Sequence, residues 1–106
     1  AKEQNERYQA VLAGMADLTP ADGILTDMYY LEWTSLEYYF PENEHDDFDR
    51  SEPPKLEGGR TYWLLLSDDL DEGLESWLAA EGRTAQEMCH DGRLATYTVH
   101  VYRCPG

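Results

Sequence analysis

Residues 24–40 read ILTDMYYLEWTSLEYYF, and the fold turns on whether this stretch runs as strand or helix. Aromatic and β-branched side chains favour a strand. Tyr29, Leu31 and Trp33 alternate with Tyr30, Glu32 and Thr34, the pattern of a half-buried strand. Leu, Met and Glu in the same stretch are good helix formers, so a helix competes. The alternation predicts a strand broken near Thr34–Ser35.

On the N-terminal side, residues 2–16 place Tyr8, Val11, Leu12 and Met15 on one helical stripe. Lys2/Glu6 and Glu3/Arg7 form i, i+4 pairs on the outer side of that helix. LTPADG (18–23) reads as one helical turn, with Thr19 as cap, Pro20 in first position and Gly23 as stop. On the C-terminal side, three prolines, a Gly58–Gly59 pair and dense charge without periodicity predict a long acidic loop at 41–59. TYWLLL (61–66) is a short apolar run that reads as a buried strand. A helix capped by Ser67 or Asp68 follows, with Leu70, Leu74, Trp77 and Leu78 inward and Gly82 as its stop.

TAQE (84–87) has the form of a capping box and predicts a shorter helix that ends at Gly92. LATYTVHVYRC (94–104) alternates, with Tyr97, Val99 and Val101 on one face and Thr96, Thr98, His100 and Tyr102 on the other. The expected architecture is a single α+β domain: a small, mostly antiparallel sheet of about 3–4 strands, with about three helices on one face.

Charge narrows the function. The 106 residues carry 22 acids against 8 bases, a net charge of −14. Such a surface repels nucleic-acid phosphate and anionic lipid, and attracts cations and basic proteins. No apolar run approaches the roughly 20 residues that span a bilayer, so no membrane partner is expected. The start, AKEQNERYQAVLAGM, lacks the basic flank and apolar core of a signal peptide, which points to the cytoplasm. Cys89 and Cys104 then read as free thiols in a reducing compartment, with a disulfide between them as the alternative in an oxidising one.

No catalytic constellation is legible. Cys89 and His90 are adjacent, and on a helix neighbours point about 100° apart. No serine elbow or paired acid and base appears, so an enzyme is not expected. SDDLDEG (67–73) puts acids where a helix would bind phosphate, and no cofactor is expected. Asp47, Asp49 and Ser51 begin like a calcium loop, but Glu52 stands where such a loop needs glycine. Cys89, His90, His100 and Cys104 offer zinc-ligand types at an unusual spacing, which makes a small zinc protein one alternative. A pocket lined by Tyr29, Tyr30, Trp33, Tyr38 and Tyr39, taking a small molecule, is another.

The acids themselves give the leading expectation. On the helix beginning at 68, Asp68, Asp71, Glu72 and Glu75 gather opposite the apolar stripe. The loop adds Asp46, Asp47 and Asp49, with Phe48 as an apolar anchor inside a charged rim. These residues suit a non-enzymatic binding protein, an inhibitor that covers a basic surface of a nucleic-acid-binding protein without touching nucleic acid itself. Phage anti-restriction and anti-CRISPR inhibitors that imitate DNA share this charge and size. No motif identifies such a family here.

Overall fold

The computed structural model describes residues 2–106, with side chains from Asn5 onward. The Lys2/Glu6 and Glu3/Arg7 pairs lie outside the described side chains. Helix α1 (Lys2–Gly14) leads to β1 (Gly23–Thr26), and residues 29–39 form α2. The chain continues through β2 (Glu44–Asp47), β3 (Tyr62–Leu66), α3 (Glu72–Ala80), β4 (Gln86–Leu94) and β5 (Tyr97–Cys104). The five strands form one mixed sheet in the order β2-β1-β3-β5-β4. β1 pairs parallel with both β2 and β3, while β5 runs antiparallel to β3 and β4. The expected α+β class stands, but the sheet has five strands and is not mostly antiparallel.

Helices cover both faces, against the expectation of one. β3 is buried at every residue, and its side chains alternate between two cores. Trp63 and Leu65 join Ile24, Val99 and Val101 under α1 and α2, through Val11, Met15, Leu31 and Leu36. Tyr62, Leu64 and Leu66 join Leu25, Tyr102 and Cys104 under α3, through Leu74 and Leu78. A strand that is apolar on both sides has to be covered on both sides.

Residues 24–40 are the main correction. The strand ends at Thr26, and 29–39 is helical: α-helix at Tyr29–Leu31, π-helix at Glu32–Leu36 and α-helix at Glu37–Tyr39. Met28, Leu31, Leu36 and Phe40 are buried, while Tyr29 and Trp33 are 67% and 81% exposed. The buried set follows a helical period, so the short alternation was coincidental. Thr34 Oγ1 donates to the Tyr30 carbonyl at 2.6 Å inside the wide turn. Such side-chain competition with the helical ladder is a recognised source of distortion.

Two further segments differ from expectation. The stretch opened by TAQE is strand β4, paired with β5 through two register shifts. Gly92 does not stop a helix there: a Cβ on it would lie 2.2 Å from Val11 Cγ2, so glycine lets α1 lie against the strand. The expected 41–59 loop contains β2, and Phe48 and Leu56 fold into the second core. Gly82 does end α3, at φ +70°.

Asp22 connects the turn before β1 to the core. Its Oδ2 accepts from Trp63 Nε1 at 2.9 Å and from the Thr19 amide at 3.1 Å, and Oδ1 accepts from Thr19 Oγ1 at 3.0 Å. Trp63 is wholly buried, so its indole N–H depends on this acceptor. Asp22→Ala is expected to cost about 1–3 kcal/mol, the usual penalty for a buried donor left unpaired. Urea unfolding measures this, and a change too small to resolve would contradict the assigned role.

Candidate functional site

Because β1, β2 and β3 are parallel, their carboxyl ends lie along one side of the sheet. The chain leaves β1 through α2 on one face and returns from β2 to β3 through Phe48 and Leu56 on the other. In open sheets, a reversal of this kind creates a crevice at the carboxyl ends where ligands commonly bind. Here that end is filled by charge.

Asp27 follows β1, with its side chain only 4% exposed. The Ser67 amide donates to Asp27 Oδ1 at 2.9 Å, and Ser67 Oγ donates to Oδ2 at 2.6 Å. Arg50 Nη1 also donates to Oδ2 at 3.1 Å. The other end of the same guanidinium, Nη2, donates to the Asp69 carbonyl at 2.8 Å and to Asp71 Oδ2 at 3.1 Å. One arginine therefore joins the acidic loop, the end of β1 and the start of α3.

The helix begins later than the sequence suggests. Asp71, not Ser67 or Asp68, is the cap, and its Oδ1 accepts from the Leu74 amide at 2.8 Å. That hydrogen bond first, and the Arg50 contact second, hold the Asp71 carboxyl below its ordinary range. Asp68 thus lies before the helix, while Glu72 and Glu75 occupy its first turn. Asp49 is also held low, by the Ser51 amide and then by the Ser51 hydroxyl.

Of the eight residues expected to meet a partner, seven are exposed: Asp46, Asp47, Asp49, Asp68, Asp71, Glu72 and Glu75. Phe48 is the exception. It is only 9% exposed and packs on Trp77 at a ring separation of 5.8 Å, so it anchors its own loop rather than a partner. A single aromatic between charged neighbours carries no mark of which side it takes. The register also separates two of the acids. Asp46 lies beside Leu25 on the α3 face, and Asp47 lies beside Thr26 on the opposite face.

The four candidate zinc ligands do not assemble. Cys89 packs against the first core and Cys104 is buried in the second, so the thiols lie on opposite faces of the sheet. Both are free, and burial pushes the Cys104 thiol up to about 11. Cys104 is also four residues along β5 from His100, about 13 Å at strand rise. His90 and His100 do meet, with ring centroids 5.1 Å apart, and Asp69 joins them. Sequence reading missed Asp69, Asp27 and Arg50, which act through contacts distant in the chain.

The aromatic residues divide between packing and solvent. Tyr30 packs on Tyr97 at 4.6 Å, and Tyr39 packs on Tyr8 at 5.5 Å. Tyr29, Trp33 and Tyr38 are exposed. Tyr38 and Tyr39 border an open groove of about 440 Å³ with Asn5, Tyr8 and Ala95. His45, among the loop acids, lies between two carboxylates of α2, with Nδ1 2.6 Å from Glu32 Oε1 and Nε2 2.7 Å from Glu37 Oε2. Among the described residues, no helix is long and apolar enough to cross a membrane.

No protein family, curated protein or solved structure matches this chain.

Replacing Arg50 tests whether the loop and the helix start form one unit. Arg50→Met leaves the buried Asp27 carboxylate short of a cationic donor, at an expected cost of about 1–3 kcal/mol. Hydrogen exchange should also quicken at the Ser67 amide, which Asp27 holds. Unchanged stability and exchange would mean that Arg50 is only a surface ion pair.

Proposed function

We propose that this protein is a non-enzymatic, cytoplasmic binding protein whose acidic end covers a basic surface on a nucleic-acid-binding protein. One observation carries this reading. Asp46, Asp47, Asp68, Glu72 and Glu75 are exposed and take part in no ion pair among the described residues. Asp68 precedes α3, Glu72 and Glu75 lie in its first turn and Asp46 is on the same face of the sheet, while Asp47 is on the other; Arg50 fixes the loop and the start of α3 relative to one another. Several unpaired charges of one sign on a rigid support steer a partner of opposite sign and accelerate its association. Carboxylates that imitate the charge of phosphates would compete for the same lysines and arginines. Anti-restriction and anti-CRISPR inhibition belongs to this class of activity.

The paired acids contribute differently. Asp71 caps α3 and contacts Arg50, so reversing its charge would disturb the fold as well as the surface. The informative variant reverses Asp46, Asp47, Glu72 and Glu75 to lysine and leaves the Arg50 contacts intact.

The test is affinity capture from nuclease-treated lysate of the source cell, with low-salt and then high-salt washes and mass spectrometry of the eluates. The expected result is one basic nucleic-acid-binding protein that is released by salt and lost with the fourfold reversal, while circular dichroism stays unchanged. Exposed charge pairs lose their reach as the Debye length shrinks from about 10 Å at 0.1 M salt to about 3 Å at 1 M. Capture that ignores both salt and charge reversal would refute the acidic face, as would the absence of any salt-sensitive partner.

A further inference from the structure

The β3–α3 connection and the β4–β5 hairpin bring Asp69, His90 and His100 together on the α3 side of the sheet. His100 lies opposite Leu66 in the β3–β5 pairing, and Leu66 belongs to the core beneath α3. Two carboxylate-to-imidazole separations define the cluster. Asp69 Oδ1 is 3.5 Å from His90 Nδ1 and 3.5 Å from His100 Nδ1. One ligand atom from each of the three residues falls within 4.8 Å of the others.

These separations are long for hydrogen bonds but fit a shared ion. Ligands about 2.0–2.2 Å from a tetrahedral zinc stand roughly 3.4 Å from each other along the tetrahedron's edges. His100 Nδ1 is buried and, apart from this 3.5 Å approach to Asp69, makes no hydrogen bond among the described residues. Buried polar atoms are rarely left unpaired, and a bound cation would satisfy this one.

The carboxylate is positioned before any ion arrives. Arg50 Nη2 holds the Asp69 carbonyl at 2.8 Å, and the Tyr102 hydroxyl donates to Asp69 Oδ1 at 3.3 Å. Glu87 Oε1 is hydrogen-bonded to His90 Nδ1 at 2.7 Å, so an ion would replace the proton of that bond, with Glu87 moving outward to reach a fourth position. Support of this kind orients ligands and strengthens metal sites.

We propose that Asp69, His90 and His100 form a binding site for a divalent transition cation of the zinc class, with Glu87 or water in the fourth position. Imidazole selects zinc, nickel, copper or iron over magnesium and calcium, which prefer oxygen-only sites. The site does not depend on the acidic-face reading. It uses other side chains, and its ligands include neither cysteine.

The experiment uses the full chain after removal of any histidine tag. Zinc is titrated calorimetrically, and Co²⁺ is added separately for its visible absorption. One equivalent of zinc should bind, the Co²⁺ bands should indicate nitrogen and oxygen ligands in low coordination, and excess Mg²⁺ should not compete. His90 is 66% exposed in its side chain, so His90→Ala should keep the fold and weaken zinc at least tenfold. His100→Gln should do the same, with circular dichroism reporting on the fold. Zinc binding that is absent, equally displaced by Mg²⁺, or unaffected by His90→Ala would overturn the assignment.

Discussion

The architecture depends on covering one strand. β3 offers five consecutive buried side chains, three toward one face and two toward the other, and every one is apolar or aromatic. A strand of this kind cannot lie on a half-solvated sheet; it needs packed elements on both sides. α1 and α2 supply one layer, and α3 with the Phe48–Leu56 segment supplies the other. Placing β1 between β2 and β3 then requires the chain to cross one face and return along the other. That path brings the ends of β1, β2 and β3 together with the start of α3.

Charge at that end is divided between two tasks. Asp27 and Asp71 accept hydrogen bonds that hold the Ser67 amide and the first turn of α3. Arg50 crosses the junction and contacts Asp27, Asp69 and Asp71 together. Other carboxylates are free of such tasks and face solvent. The net charge of −14 is therefore not a uniform coat. It includes a scaffold of engaged acids and a separate group available to a partner. The histidine cluster beside Asp69 belongs to the same end, reached from β4 and β5.

The sequence made some of this legible. Local patterns sufficed where the burial signal is continuous or strictly periodic: the stripe of Val11 and Met15, the run Tyr62–Leu66, the pair Leu74 and Leu78, and the alternation of β5. They failed where tertiary contacts override them. Residues 29–33 alternate over too few positions to separate period 2 from period 3.6, and only the burial of Met28, Leu36 and Phe40 decides between them. TAQE has the form of a helix start, but pairing with β5 claims the same backbone. The exposed acids were readable from composition and position. Phe48 was not, because its partner Trp77 lies far along the chain. The Arg50 junction was equally hidden, since its contacts span 19 to 23 residues.

The acidic end exists only if β1 is flanked by two parallel neighbours. Backbone NOEs in the labelled full chain measure this directly. The account predicts cross-strand contacts from Ile24 to both His45 and Trp63 in parallel register, and from Leu66 to His100 in antiparallel register. Contacts from β1 to one neighbour only, or an antiparallel pattern beside β1, would contradict it. The loop and the start of α3 would then have no reason to meet.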